Sequence, residues 1–398
     1  MKYSGLLLLP ASTALWLLFF ASCQSGNANH AEAPQSFFTP APGSPISIPY
    51  GPGNVVIGDI NNDKKLDLIV ASEKTRSVTV LTGKGDGQFA AQFNKTTIPD
   101  GPGEIALGDV NADGKLDLAV ATHDSYGVTL LLGDGNGGFT IAPGSPIIMK
   151  VGRQPHTHGL ALVDMNRDNK LDLVTVNNAD NDVSLAFGDG RGGFTRAPGS
   201  PFAVGPSPYP IAIGDVNGDG QLDIVATATA TGPSRAQQLA MSRALTLLLA
   251  DGRGGFRSTS LPLRTGEPWF AVINDINGDR KPDILATHHE MSHLTVMIGD
   301  GKGGFVEANG SPFDFGHQVF HVGVVDVDRN GKMDVVAAGG DSVRVMLGDG
   351  AGGFVTGPAA PTGRGVWRLA FSDLNSDGKL DLVTCNSESN SVSVLLAR

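Results

Sequence analysis

One nine-residue pattern, D-x-N-x-D-x-x-x-D, returns seven times along the chain, with Asn and Asp exchanged in the sixth copy, and this recurrence limits the fold more than any other feature. The first four copies are Asp59, Asn61, Asp63, Asp67; Asp109, Asn111, Asp113, Asp117; Asp164, Asn166, Asp168, Asp172; and Asp215, Asn217, Asp219, Asp223. The last three are Asp275, Asn277, Asp279, Asp283; Asp326, Asp328, Asn330, Asp334; and Asp373, Asn375, Asp377, Asp381. Their opening aspartates lie 47 to 60 residues apart. At such a period each repeat is one supersecondary unit that buries its apolar surface only by packing on its neighbours, and a four-stranded propeller blade has that length. Repetition therefore overrides the two or three domains that 398 residues would otherwise suggest.

The strands of a unit can be placed from local pattern. In the second, residues 105–108 make a short apolar strand, 109–117 a polar loop, 116–121 the next strand and 128–132 the third. The turn Gly133-Asp134-Gly135-Asn136-Gly137-Gly138 follows, and Phe139 opens a fourth strand. Second strands such as Leu-Asp-Leu-Ile-Val-Ala are apolar on both faces, as a sheet sandwiched between two others requires. Helical classes are excluded, because 54 glycines and 24 prolines punctuate the chain too often for an amphipathic helix.

The chain ends test closure. The seventh unit stops after its third strand, and Phe38-Thr39-Pro40-Ala41-Pro42-Gly43-Ser44-Pro45 matches Phe139-Thr140-Ile141-Ala142-Pro143-Gly144-Ser145-Pro146 of the second unit. The expected fold is all-β: a seven-bladed β-propeller of four-stranded antiparallel blades over residues 37–398, its N-terminal strand completing the last blade and removing the edges of an open array.

Residues 1–22 have the form of an export signal, with Lys2 ahead of an apolar stretch over residues 5–20. The run Phe20-Ala21-Ser22-Cys23 resembles a bacterial lipobox, which implies lipidation of Cys23, and Gln24 after it points to an outer membrane or cell surface. Ordinary cleavage nearby, or an uncleaved anchor, is the alternative. Residues 23–36 are a polar tether. With two cysteines, Cys23 and Cys385, no disulfide framework is available.

In the polar loops alternate residues point inward, so positions 1, 3 and 5 converge, position 7 offers a carbonyl and the ninth aspartate closes the shell. Carboxylates this close repel and raise one another's pKa unless a cation lies among them. Hard oxygen donors in that number suit Ca²⁺ better than Mg²⁺, giving up to seven calcium ions. An EF-hand is excluded, because its twelfth position falls on Val70 or Val120 instead of glutamate. The alternative without metal is a set of Asx turns capping hairpins; the ninth aspartate, which such turns do not need, favours calcium. Seven divalent ions would more than cancel the formal net charge of -11, so the acidity reads as ligand. That balance, with no basic run, disfavours nucleic acid.

The loops and the glycine turns that follow them, such as Gly299-Asp300-Gly301-Lys302-Gly303-Gly304-Phe305, resemble the FG-GAP or VCBS repeat family, whose best-known fold is the seven-bladed propeller of integrin α subunits. The resemblance spans residues 38–398 and implies the propeller and calcium in its loops, but not a function, since similar propellers serve as adhesion modules, lectins and domains of polysaccharide-acting enzymes.

In an up-and-down blade the calcium loops and glycine turns share one face of the ring, and the opposite face varies. It receives His156, His158, Tyr209, Trp269, Phe270, His317, His321, Arg364, Trp367 and Arg368 ahead of or on the inner strands, and His123, Asp124, His288, His289, Glu290 and His293 from the second-to-third strand connections. An insertion in the fourth unit, 229–243, adds a segment that can form a short helix there. Aromatic and convergent polar groups suit a sugar or protein ligand. The expected function is that of a monomeric calcium-binding binding or adhesion module, touching the membrane through its lipid alone. The alternative is an extracellular lyase or hydrolase using the histidines, for which no G-x-S-x-G motif is present.

Overall fold

The structure, a computed structural model, describes residues 35–152, 155–229, 242–288 and 291–398. Within them the chain forms seven antiparallel sheets and no helix. The second blade shows the common plan: strands Pro102–Gly108, Asp117–Thr122, Gly127–Gly133 and Phe139–Ile141 pair in sequence order from the axis outward. The inner strands Asn54–Gly58, Pro102–Gly108, Thr157–Val163, Ile211–Gly214, Pro268–Asn274, His321–Val325 and Val366–Ser372 surround the channel.

Period-2 alternation explains why the second strands are apolar throughout. In Asp67–Ser72 every residue is buried. Leu68 and Val70 pack with Val383, Cys385 and Val394 of the seventh blade, whereas Ile69 and Ala71 pack with Ile105, Leu118 and Val120 of the second. Opposite faces of one strand thus serve two interfaces. Each buried Leu, Ile or Val among them contributes about 1.5–3 kcal/mol, and the ring shares this among seven interfaces.

Closure follows the expected route. Phe38–Pro40 pairs antiparallel with Ser391–Ala397, Phe38 facing Ala397 and Pro40 facing Leu395. Phe38 is buried between Val336, Val343, Leu382 and Leu395. The outer strand is not continuous, however. After Pro40 the chain detours, with the Ala41 N–H donating to the Val394 carbonyl at 2.9 Å and Ser44 Oγ accepting the Val394 N–H at 2.9 Å, before Ile46–Ser47 pairs with the same strand. The A-P-G-S-P segments of the second and third blades make the same detour, Ser145 Oγ taking the Leu130 N–H at 2.8 Å and Ser200 Oγ the Leu185 N–H at 2.9 Å. A serine hydroxyl there replaces the missing ladder carbonyl.

The export signal, Cys23, the tether up to residue 34 and most of the fourth-unit insertion lie outside the described residues. Cys385 is buried as a free thiol.

Candidate functional site

On the repeated face each loop folds around its own aspartates. Asp109 accepts the N–H groups of Asp113 and Gly114 at 3.2 and 2.8 Å, Asn111 that of Asp113 at 2.9 Å, and Asp113 that of Lys115 at 3.0 Å. The ninth aspartate has another job. Asp117 is buried, its Oδ2 accepting the Val110 N–H at 3.1 Å and its Oδ1 the Gly133 N–H at 2.9 Å. It therefore ties the loop to the end of the third strand. All seven copies repeat this pair of bonds. The close approach explains the glycine as well: a Cβ on Gly133 would lie 2.2 Å from the Leu116 carbonyl oxygen.

This corrects the expectation that only a metal needs the ninth aspartate, since the strut alone accounts for its recurrence. The cage is nonetheless anionic. Burial holds the Asp117 carboxyl above its ordinary pKa against those two bonds, with Asp113 and Asp109 adding to the rise. In the sixth loop, oxygens of Asp326, Asp328 and Asp334 lie within 4.8 Å of one another.

The opposite face opens into a cavity of about 320 Å³. A connection that precedes an inner strand supplies Gly51, Pro52 and Gly53; second-to-third strand connections supply Glu73, Lys74, His123 and Ser387; inner strands and their leads supply Pro102, Gly103, Glu104, His158, Tyr209, Trp269, Trp367 and Arg368. Its wall is a run of rings. His158 stacks on Tyr209 with centroids 4.3 Å apart, Tyr209 lies 4.0 Å from Trp269, and Trp269 meets Trp367 edge-on at 6.1 Å. Arg368 reaches across the channel to pair with Glu104, which also accepts from the Asn54 side-chain amide. The charged pair thus fixes the floor while the rings form the side.

Beside His158 two more imidazoles gather. Rings of His123, His156 and His158 lie 4.2 to 4.9 Å apart, and the Nε2 atoms of His156 and His158 are 2.9 Å apart. Burial, reinforced by the neighbouring His156, His123 and Arg368, pushes His158 down to about 2. His156 is lowered for the same reasons, burial first and then His123. Both are neutral at physiological pH. Burial raises the Tyr209 phenol, which stays protonated.

Of the residues expected on this face, His158, Tyr209, Trp269, Trp367 and Arg368 share the cavity, with His156 against His158. Phe270 and His321, with centroids 4.0 Å apart, sit in a separate cavity of about 180 Å³ that also touches Glu104 and Arg368. Arg368 lies 5.7 Å over the Phe270 ring. Enclosure and the Arg368 charge hold His321 well below its ordinary value. His317 and Arg364 line a third, shallower depression with Phe320. His288 belongs to none of them. It ends a wholly buried second strand, Asp283–His288, with Nε2 2.7 Å from Thr295 Oγ1, and burial, followed by the neighbouring His293, lowers it to about 4. It is a core histidine. His289 and Glu290 lie outside the described residues. Sequence reasoning missed Glu73, Lys74, Glu104 and Ser387. For Glu104 one local signal existed, a carboxylate inside an otherwise apolar inner strand.

Three solved propellers resemble the chain in fold. A chain of the BBS1N complex with ARL6DN aligns with a TM-score of 0.61 at 13% identity, covering 92% of this chain and 98% of that one. A lectin of Agrocybe aegerita, described for specific recognition of non-reducing terminal N-acetylglucosamine, aligns with a TM-score of 0.54 at 19% identity over 85% and 86% of the two chains. Virginiamycin B lyase from Staphylococcus aureus aligns with a TM-score of 0.53 at 10% identity over 91% and 98%. No curated protein matches by sequence. The FG-GAP-like repeat model matches at residues 59–120, 109–175, 164–226, 275–337 and 326–384, each match running from one polar loop into the second strand of the next blade. With those matches covering more than half of its length, the chain belongs to the FG-GAP-like repeat family.

Proposed function

We propose that the protein is a binding module whose aromatic cavity takes the end of a glycan. The observation that carries this reading is the ring wall of Tyr209, Trp269 and Trp367 beside the Glu104–Arg368 pair. Aromatic faces pack on the C–H surface of a sugar ring, and fixed carboxylate and guanidinium groups take its hydroxyls. A lectin among the structural neighbours makes terminal N-acetylglucosamine the first probe. Titration of the full chain with N-acetylglucosamine and a panel of mono- and oligosaccharides tests the reading. A saturable signal that falls at least about tenfold in Trp367→Ala, a loss of roughly 1.4 kcal/mol, supports it. No binding to any sugar, or binding that Trp367→Ala leaves unchanged, refutes it.

Calcium belongs to the same proposal as the support of the other face. The donor set fits a hard cation: Asp326, Asp328 and Asp334 bring carboxylate oxygens together, and each strut oxygen, having accepted one N–H, keeps a lone pair. The first, third, fifth and ninth residues of each loop would hold the ion, which when bound neutralises the cage. Export and lipidation at Cys23 would then present the ring at the cell surface. Loss of metabolic lipid labelling in Cys23→Ser tests that placement.

A further inference from the structure

The calcium loops face away from the three histidines of the mouth, and the ring wall does not use all of them. The geometry points to a second kind of metal site: His123, His156 and His158 together bind one divalent transition metal of the zinc class, with a fourth coordination position open to water or an anionic ligand group from the cavity.

Donor convergence comes first. One ring nitrogen from each histidine lies within 4.8 Å of the other two, and the His156 and His158 Nε2 atoms are already 2.9 Å apart. In a tetrahedral site with bonds of about 2.0–2.1 Å, neighbouring nitrogens are roughly 3.3 Å apart. Two donors therefore stand near the required spacing, and the third closes by a small turn of the outermost ring. That ring is His123, whose side chain is 27% exposed. At that distance one ring donates its Nε2–H to the other, and a metal ion bound by both Nε2 atoms would require that proton to move to the donor ring's Nδ1.

The supporting shell is in place. The Nδ1 of His123 faces Asp124 Oδ1 at 3.5 Å and Glu73 Oε1 at 3.8 Å. With His123 ligating through Nε2, these carboxylates stand behind its other nitrogen, the usual device that orients a metal-binding imidazole and raises its basicity. Thr157, between the other two histidines, donates its N–H to the His123 carbonyl at 3.1 Å and its hydroxyl to the Ser125 carbonyl at 2.8 Å. Those bonds pin the second blade's connection to the third blade's inner strand. Gly159, at φ +68°, then interrupts the register of that strand after His158. A bulge there re-aims the side chain before it, and a Cβ would lie 2.9 Å from Val176.

The donors also select the metal. Three neutral imidazoles suit Zn²⁺, Cu²⁺, Ni²⁺ or Co²⁺, while Ca²⁺ and Mg²⁺ require oxygen. His123 and His158 line the glycan-sized cavity, so the open position faces into it.

The test uses the full chain without a histidine tag, saturated with Ca²⁺ and free of sugar, so its outcome is independent of glycan binding. Co²⁺ titration is expected to give visible d–d bands of a four-coordinate nitrogen site at one equivalent, displaced by Zn²⁺. His123→Ala and His158→Ala should each weaken binding at least about 100-fold, and Glu73→Gln about tenfold through the outer shell. His293→Ala should bind as the parent does. Because His158 packs under Tyr209, the more exposed His123→Ala decides the matter if His158→Ala does not fold. Absence of a stoichiometric Co²⁺ spectrum in the parent, or a spectrum that persists in His123→Ala, overturns the assignment.

Discussion

Replacing Asp172 with alanine separates the two jobs of the ninth loop position. Asp172 is buried, and its oxygens accept the Met165 and Gly188 N–H groups at 2.8 and 2.9 Å. Hydrogen bonds to a charged acceptor contribute about 1.5–3 kcal/mol each, so losing both costs about 3–6 kcal/mol. Part is returned, because the carboxylate itself is unfavourably buried: burial, then Asp168 and Asp164, raise its pKa. We therefore expect a loss near the lower end, about 3 kcal/mol, with calcium chelated. For a cooperative domain of this size that is about 4 °C in Tm. In calcium at 100 times its dissociation constant, loss of one ion adds about 2.7 kcal/mol, so the penalty should nearly double. Asp164→Ala is the comparison. Asp164 bonds only within its own loop, to Asp168 and Asn169, so it should cost little in chelator and show the calcium-dependent part alone. Calorimetric melts of parent and both variants, with and without Ca²⁺, give the four differences needed. A penalty for Asp172→Ala below about 1 kcal/mol in chelator refutes the strut, and equal penalties in both solutions refute calcium at this loop.

Further outcomes follow from the same coordinates. Phe38→Ala removes a buried ring from the closing blade and should cost about 3–5 kcal/mol, while deletion of residues 37–48, which unpairs the edge of Ser391–Ala397, should lower Tm much further; a deletion that melts with the parent disproves closure. Burial raises the Cys385 thiol, so it should resist alkylation in the native ring and react faster in Phe38→Ala, and rapid labelling of the native parent would contradict the packing. In the glycine turns, N–H bonds from Gly304 and Lys302 lower the Asp300 carboxyl. Its folded pKa lies below the unfolded value of about 3.9, so its contribution is full above that value and lost as pH falls through the folded one. Parent and Asp300→Ala should therefore differ in Tm at pH 6 and converge toward pH 2, and a gap that persists in acid contradicts this.

What the sequence made legible was whatever recurs. The loop period, the glycine turn and the A-P-G-S-P match between the N-terminus and the second and third units each encode a local structure repeated at fixed offset, so blade number and closure could be inferred from pattern alone. The cavity is the opposite case. Arg368 and Glu104 are separated by 264 residues, and no spacing rule links them. His288 and His158 looked alike, each a histidine on the variable side. Only the enclosure of the second strand, against the bulge that turns His158 into the mouth, distinguishes a core residue from a lining one. For the ninth aspartate the loop pattern displayed the recurrence but not the strut. Its partner, the N–H at the end of the third strand, lies 14 to 27 residues on, beyond what a loop motif displays.

The strut also explains why variation is confined to one face. On the repeated face every loop must satisfy the same two N–H groups, and in five blades a glycine at the end of the third strand passes a loop carbonyl, Ala250 and Ala397 standing there in the fourth and seventh, so each blade faces nearly the same local problem. The connections on the other face carry no such obligation, because the second and third strands are already held by their ladders and by both neighbouring interfaces. Each blade can then place one unlike side chain at the mouth without loosening the ring. Tyr209, Trp269 and Trp367 come from three different blades, as do Glu104 and Arg368 from two. A cavity assembled this way depends on the relative rotation of blades. Whatever stiffens the loops on the far side, strut or cation, therefore also fixes the spacing of the rings and the histidines across the channel.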